Sequence, residues 1–382
     1  MESRAKLKTC KRIVVKLGSS TITHDSGQMN LARMERLVRE MADIHNEGRE
    51  ICLVTSGAVA AGVGRLGMRE YPKTMPLKQA AAAVGQGTLL HMYEKFFAEY
   101  GKNIAQVLLT RDDFDGRLRY LNARNTLRTL LSLGVIPVIN ENDTVVVEEI
   151  RFGDNDTLSA LVADLVDGDL LIIMTDINGL YNDDPRTNPE ATLYHELEEI
   201  PEIISTSLKQ RGNKFSSGGM YTKVLAAKMA MASAIPMVVV NGREPGVLRR
   251  VLEGERLGTM FKPGEERMQA RKRWIAFGTQ PHGIITIDRG AVEALVKKGR
   301  SLLASGITSV EHEFERGTIV SVYALEGHEI GRGMTNYSSN EIRSIAGHKS
   351  SEIQKILGAK DYDEVIHRDN FSLIVHADVD EA

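Results

Sequence analysis

The hydrophobic pattern of this 382-residue chain changes near residue 262. Before that point, short runs of Ile, Val and Leu alternate with longer stretches whose apolar residues recur at helical spacing. Short, nearly continuous apolar runs are typical of strands buried on both faces of a parallel sheet. The predicted strands are Arg12–Lys16, Glu50–Val54, Ile104–Leu108, Ile136–Ile139, Leu170–Met174 and Met237–Val240. The predicted helices are Leu31–Asn46, Pro76–Tyr100, Leu118–Leu131, Thr157–Val166 and Tyr221–Ser233.

This alternation of strands and helices predicts the fold of residues 1–262. It favours an α/β fold, a three-layer sandwich with a mostly parallel central sheet. In such folds, ligands bind beyond the carboxyl ends of the strands. The polar motifs of this chain follow predicted strands or precede predicted helices, so we expect them to gather at this edge of the sheet.

The rest of the chain has a different pattern. Residues 263–282 lack periodicity and are predicted to form a linker. Residues 283–358 contain short strand-like runs and one early helix, predicted over Ala291–Lys298. Their frequent glycines favour a small β-rich barrel, and residues 359–382 are predicted to form a C-terminal extension.

Composition and charge narrow the classes of function. A formal net charge of -3 does not suit a protein built mainly for nonspecific binding of nucleic acid. The two cysteines, Cys10 and Cys52, allow no CxxC metal pattern and suit a reducing compartment. No apolar run approaches the roughly 20 residues that span a bilayer. We therefore expect a cytoplasmic protein without a membrane partner.

Two lysine–glycine elements are the most informative motifs. Lys16 ends the first predicted strand and is followed by Gly18, while Ser217–Lys223 runs into the predicted helix Tyr221–Ser233. Glycines let backbone N–H groups approach an anion, and lysine supplies a mobile positive charge. The P-loop pattern is absent. Each element alone is compatible with a surface loop, whereas the two together predict a phosphate-bearing ligand held from both sides.

Further polar residues follow three other strands. Ser56, in Thr55–Ala58, is compatible either with a helix N-cap or with a seat for an anion. Asn140–Asp143 leaves the fourth strand, and Gly153–Asp156 precedes a helix. One such cluster is most often a cap, but two of them favour recognition of the ammonium and carboxylate groups of a small amino acid. Thr175 and Asp176 follow the fifth strand, where they suit contacts to a nucleotide.

Other sequence patterns exclude several kinds of enzyme. Gly62–Gly67 is a literal G-x-G-x-x-G, but a helical stretch separates it from the preceding strand, so it is not interpreted as a dinucleotide site. The chain has neither a G-x-S-x-G elbow nor an HExxH motif. These absences disfavour hydrolase and metalloenzyme chemistry.

In content and order, these motifs resemble those of the amino acid kinase family, and residues 283–358 resemble a PUA domain. The resemblance covers almost the whole chain. It is closest to the branch that carries a PUA domain and uses ATP to phosphorylate the side-chain carboxylate of L-glutamate, the first step of proline biosynthesis. N-acetylglutamate kinase and aspartokinase lack the PUA domain. The resemblance implies ATP and Mg²⁺ as cofactors, glutamate as substrate, proline as feedback inhibitor, and a homo-oligomer.

The resemblance also implies roles for individual residues. The residues expected to bind glutamate are Ser56, Asp143 and Asn155. The residues expected to bind ATP are Lys16, Thr175, Asp176, Ser217, Gly218, Gly219, Met220, Tyr221, Thr222 and Lys223. For catalysis, we expect Lys16 and Lys223 to flank the transferring phosphoryl group and Asp156 to orient both lysines. Position 217 is often threonine in the family, and serine keeps the hydroxyl.

Two alternatives remain open at this point. The first is another carboxylate or carbamate kinase of the same fold, which would share the catalytic residues. The second is an RNA-binding or regulatory protein acting through the PUA domain, because such domains bind structured RNA mainly by shape. The slight excess of acidic residues disfavours RNA binding as the main role.

Overall fold

The computed structural model describes residues 2–24, 28–115, 117–145, 155–183, 185, 187–201, 219–264, 272, 275–276 and 281–374. The chain forms two compact units, which divide between residues 267 and 268. Within the described ranges, the first unit carries an eight-stranded sheet and the second a five-stranded sheet.

The sheet of the first unit is mostly parallel. Its strands are β1 (Arg12–Leu17), β2 (Glu50–Thr55), β3 (Ile104–Leu109), β4 (Ile136–Glu141), β5 (Leu170–Thr175), β6 (Glu196–Leu197), β7 (Met237–Asn241) and β8 (Thr259–Phe261). They lie in the order β3-β4-β2-β1-β5-β7-β8-β6. The strands from β3 to β7 in this order run parallel, and β8 pairs antiparallel with β7. All six predicted strands are confirmed, and each extends one or two residues past its predicted carboxyl end.

Helices cover both faces of this sheet. They are α1 (Glu2–Ala5), α2 (Ser19–Ile22), α3 (Leu31–Asn46), α4 (Ala58–Leu66), α5 (Met75–Glu99), α6 (Asp112–Asp115), α7 (Arg117–Ser132), α8 (Asn155–Leu165), α9 (Met220–Ala232) and α10 (Val247–Leu252), with a 3-10 turn at Lys6–Thr9. The five predicted helices correspond to α3, α5, α7, α8 and α9, with ends within two residues of the prediction. The three-layer α/β architecture is therefore confirmed.

The alternation of side chains along β1 decides which face Lys16 occupies. Successive residues of a strand point to opposite faces. Ile13, Val15 and Leu17 belong to the large core shared with α3 and α5. Lys16 therefore points to the other face, where α8 packs across β1, β2, β4 and β5. The first residues of α8 are in this way brought above the carboxyl ends of the central strands.

Two glycines allow α4 and α5 to approach each other closely. A Cβ on Gly62 would lie 1.8 Å from the carbonyl oxygen of Ala81, and a Cβ on Gly85 would lie 1.8 Å from that of Ala58. The backbones of the two helices are thus in contact. The G-x-G-x-x-G stretch lies in α4 and its C-cap, so it joins no strand to a helix, as predicted, and its Gly62 has a packing role instead.

The second unit has its own sheet and core. Its elements are β9 (Ile284–Ile287), α11 (Arg289–Val296), β10 (Ile307–Glu311), β11 (Ile319–Ala324), β12 (Glu329–Met334), α12 (Ser339–Ile345), α13 (Ile353–Leu357) and β13 (Phe371–Leu373), with 3-10 turns at Ala304–Gly306 and Arg368–Asn370. The sheet order is β10-β9-β11-β12-β13. Val365, Ile366 and Phe371 belong to the buried core. Sheet and core thus continue past residue 358, and most of the expected linker, 263–282, lies outside the described residues.

Two smaller observations concern the cysteines and the bilayer. Cys10 and Cys52 are both buried free thiols. Burial raises the pKa of Cys10 to about 11 and that of Cys52 to about 12, because it penalises the thiolate. Among the described helices, none is long and apolar enough to cross a membrane.

The crossing of α4 and α5 gives a testable prediction. Gly62→Ala should destabilise the first unit by about 1–3 kcal/mol, because the added methyl overlaps a backbone carbonyl and forces the helices apart. Gly87→Ala, on the same helix α5 as Gly85, is the matched control, because no atom lies within 4 Å of its Cβ position. Urea unfolding should show a loss for Gly62→Ala and none for Gly87→Ala; equal effects would contradict the packing role.

Candidate active site

Two lysines share one buried carboxylate at the carboxyl edge of the first unit's sheet. The Nζ atom of Lys16 lies 2.6 Å from Oδ1 of Asp156, and the Nζ atom of Lys223 lies 3.0 Å from Oδ2. Asp156 is fully buried, and Lys16 and Lys223 are 3% and 4% exposed. Thr222 adds a hydroxyl 2.9 Å from Oδ2 of the same carboxylate. The two lysine-glycine elements of the sequence therefore meet at Asp156.

Three different elements bring these charges together. Lys16 is the next-to-last residue of β1, Asp156 is the second residue of α8, and Lys223 is the fourth residue of α9. Because α8 and α9 pack against each other, their first turns lie side by side over β1. A carboxylate in the first turn of a helix is also stabilised by the helix dipole.

Among the described residues, this cluster sets two ammonium groups on one carboxylate. The setting is buried, and charges interact more strongly there than in water. Buried charges are stable when they are paired and hydrogen-bonded. The arrangement suits an anion with several oxygens, such as a phosphoryl group, placed between the two lysines.

A cluster of amides lies beside the lysines. The Nδ2 atom of Asn155 lies 2.6 Å from the carbonyl oxygen of Thr55, 2.9 Å from Oγ of Ser56 and 2.9 Å from Oδ1 of Asn140. The capping residue of α4 is Gly57, with a φ of 96°, so Ser56 is not the cap. Asn155 and Asp156 are likewise the first residues inside α8, which begins two residues earlier than predicted.

Two residues of helix α5 form hydrogen bonds with residues of this amide cluster and with Thr55 beside it. Oε1 of Gln86 accepts a hydrogen bond of 2.8 Å from Nδ2 of Asn140. The hydroxyl of Tyr93 lies 2.7 Å from Oγ1 of Thr55. Burial raises the pKa of Tyr93, which keeps its hydroxyl protonated. Sequence patterns did not reveal Gln86 or Tyr93, because both lie in a helical run with no local motif and reach the site only through the fold.

The remaining candidate residues occupy different positions. Thr175 ends β5 and is buried, and its hydroxyl lies 3.2 Å from a carboxylate oxygen of the exposed Asp176. A Cβ on Gly18 would lie 3.7 Å from Nζ of Lys16, so this glycine lies against the lysine head group. The N–H of Gly18 donates to the carbonyl of Met174 and is therefore already used within the fold.

Four further candidates are located only by the elements in which they lie. Asp143 is half-buried in the turn after β4. Gly219 is the N-cap of α9, and Met220 and Tyr221 open that helix, with the Tyr221 side chain 45% exposed. Ser217 and Gly218 lie outside the described residues. No group of three or more His, Cys, Asp or Glu that could hold a metal ion occurs among the residues described.

Comparison with known proteins identifies the class. Residues 11–241 match the model of the amino acid kinase family, and residues 283–357 match that of the PUA domain. The chain belongs to the amino acid kinase family. The expected fold and the appended PUA domain are thereby confirmed.

Several known proteins are similar to this chain in sequence or in fold. The chain is 53% identical over 373 residues to a glutamate 5-kinase of Moorella thermoacetica, covering 98% of this chain and 99% of that protein. It is also 53% identical over 363 residues to a glutamate 5-kinase of Caldanaerobacter subterraneus subsp. tengcongensis, covering 95% and 98%. Among solved structures, the UMP kinase of Bacillus anthracis matches at 19% identity with a TM-score of 0.46, covering 66% of this chain and 96% of that chain.

The charge cluster gives a prediction about stability. Asp156→Asn removes the carboxylate between two buried ammonium groups, so we expect a loss of about 3–5 kcal/mol in the free energy of unfolding. Inorganic phosphate should recover part of the loss by replacing the missing negative charge. Urea unfolding with and without phosphate is the measurement.

The matched control is Asp167→Asn. Asp167 pairs with Arg124 and Arg128, all with partly exposed side chains, and an ion pair in contact with solvent contributes about 1 kcal/mol or less. Its φ of 50° is also one that asparagine tolerates. If Asp156→Asn destabilised the protein no more than this control does, the shared carboxylate would not be holding the lysines.

Proposed function

We propose that this protein is a glutamate 5-kinase, which transfers the γ-phosphoryl group of ATP to the side-chain carboxylate of L-glutamate. The product is L-glutamyl 5-phosphate, the first intermediate of proline biosynthesis. The observation that carries the proposal is the pair of buried lysines, Lys16 and Lys223, held on Asp156 beside an amide cluster. The names of relatives about 50% identical over nearly the whole chain support glutamate as the acceptor.

The proposed reaction needs cations at the site and does not need a general base. The acceptor carboxylate is already ionised at neutral pH, so no proton has to be removed. One carboxylate oxygen forms a bond to the γ-phosphorus, and the bond from this phosphorus to the β,γ-bridging oxygen breaks. The electron pair of that bond leaves with ADP. The obstacle is repulsion between two anions, which positive charges at fixed positions reduce.

Lys16 and Lys223 are the residues proposed to supply these charges. They approach Asp156 from β1 and α9 and contact different oxygens of its carboxylate. We propose that they flank the oxygens of the transferring phosphoryl group. Asp156 then acts by orienting both lysines, because a flexible lysine would otherwise have to be ordered during the reaction.

The amide cluster is the proposed binding site for glutamate. Ser56 and Asn155 lie together, 2.9 Å from Oγ to Nδ2, at the ends of β2 and α8. Asp143 follows β4, which is the neighbour of β2 in the sheet. We propose that these three residues bind glutamate with its side-chain carboxylate toward the lysines.

The nucleotide is proposed to bind on the other side of the lysines. Thr175 at the end of β5, the following Asp176, and residues 217–223 would hold ATP. When bound, Mg²⁺ supplies neutralisation of charge on the nucleotide phosphates. Asp156 is engaged by two lysines, so the nucleotide itself and water would provide most Mg²⁺ ligands, as this ion often requires. Feedback inhibition by proline and homo-oligomerisation are proposed from the resemblance to relatives alone.

A hydroxylamine-trap assay tests the substrate. With ATP and Mg²⁺, the protein should form hydroxamate from L-glutamate and not from L-aspartate or N-acetylglutamate. Proline should suppress the signal in a separate arm. Hydroxamate from a different acid would replace glutamate as the acceptor but retain the phosphoryl transfer, and no signal from any acid with folded protein would reject the kinase proposal.

A lysine substitution tests the proposed catalytic charge. Lys223→Met should lower kcat by about 10²–10³-fold at saturating ATP, as loss of one donor to a transition-state oxyanion does. Lys95→Met, an exposed lysine on α5, is the control of equal charge change. Near wild-type turnover by Lys223→Met would show that this lysine does not contact the transferring group.

A further inference from the structure

Gln86 fixes the orientation of a neighbouring amide. Its Oε1 accepts from Nδ2 of Asn140 at 2.8 Å. Oδ1 of Asn140 is thereby turned toward two donors, the N–H of Glu141 and Nδ2 of Asn155, each at 2.9 Å. The hydrogen bonds to Nδ2 and to Oδ1 of Asn140 therefore favour the same orientation of its amide group. Loss of the Gln86 acceptor would let this amide rotate and present its NH₂ to the NH₂ of Asn155.

The amide of Asn155 is fixed in turn. Its Nδ2 has two protons, and three acceptors surround them: the carbonyl of Thr55 at 2.6 Å, and Oγ of Ser56 and Oδ1 of Asn140 at 2.9 Å each. Only Oδ1 of Asn155 is left to meet a ligand. Asn155 is 8% exposed, and its Oδ1 has no hydrogen-bond partner in the described part of the chain. A buried acceptor without a donor is costly, so this oxygen indicates a place kept for a donor on a ligand.

The surroundings of Asn155 suggest what this donor is. Asn155 opens α8, an eleven-residue helix whose N-terminus favours an anionic group. A ligand that carries both an acid group and a hydrogen-bond donor matches this end of the helix together with Oδ1 of Asn155. The ammonium group of a free amino acid is such a donor, and a charged donor forms the stronger hydrogen bond.

The packing of α5 explains how Gln86 reaches this place. Gly85, the preceding residue, brings the backbone of α5 against Ala58 at the start of α4, close to the ends of β2 and β4. This close approach of the helices lets Gln86 reach Asn140. A larger residue at position 85 would move Gln86 away from Asn140.

We infer that Gln86 is a positioning residue for substrate recognition. Acting through Asn140, it orients Asn155 so that the Oδ1 of that residue accepts a hydrogen bond from the ammonium group of the amino acid substrate. This inference rests on the proposed function, which supplies the amino acid. It assigns Gln86 to affinity for the acceptor and not to phosphoryl transfer.

Two substitutions of nearly equal size separate the acceptor from the shape of the side chain. Gln86→Met removes the acceptor, and the KM for L-glutamate should rise roughly tenfold, the equivalent of one lost hydrogen bond. Gln86→Glu keeps an acceptor oxygen at the same reach and should restore most of the affinity. The KM for ATP should stay unchanged in both. Thr88→Val, which removes a polar group bonded within α5, is the control and should change neither KM.

Three results would overturn the inference. They are an unchanged KM for glutamate in Gln86→Met, an equal loss in Gln86→Glu, and a parallel rise in the KM for ATP, which indicates a merely structural role. If the wild type forms no hydroxamate from glutamate, the proposed function fails separately. A double-mutant cycle of Gln86→Met with Asn155→Ala, measured by urea unfolding, then decides: coupled effects support the relay through Asn140, and additive effects reject it.

Discussion

The first unit depends on one buried carboxylate that serves two lysines. Asp156 lies where β1, α8 and α9 meet, and it makes their close approach electrostatically tolerable. Burying ions costs free energy that only good geometry offsets. The fold meets this condition with rigid elements: a strand end for Lys16 and helical first turns for Asp156 and Lys223. The same rigidity holds the two ammonium groups at fixed places, which suits the proposed reaction between two anions.

In the amide cluster, uncharged side chains are likewise held in place by fixed partners. Asn155, Asn140 and Gln86 each orient the next, and the carbonyl of Thr55 fixes the end of the series. Glycines at the crossing of α4 and α5 contribute to this arrangement, because they set how near α5 comes to α4, which follows β2. In the proposed mechanism, residues that never meet a ligand thus determine what the site recognises. The adjacent residues 155 and 156 would join the proposed phosphoryl side of the site to its proposed amino acid side.

The sequence predicted the fold of the first unit well because buried parallel strands leave a clear hydrophobic signal, as in Arg12–Leu17 and Leu170–Thr175. It also placed Lys16, Asp156 and Lys223 at strand and helix ends, where the structure brings them together. It missed β6 and β8, which are only two and three residues long. It could not find Gln86 or Tyr93, whose partners are distant in sequence, and it treated Asn155 and Asp156 as preceding a helix that in fact begins with them.

The second unit is completed by a strand that lies near the far end of the chain. β13 pairs with β12, and Val365 and Ile366 join the core from beyond the residues that match the PUA model. During synthesis, β12 therefore has an open edge until residues 371–373 have left the ribosome, whereas the sheet of the first unit has all of its strands by residue 261. Unpaired edges promote association with other chains. Residues 335–370, which separate β12 from β13, thus correspond to a period in translation when the nascent protein is exposed to mispairing.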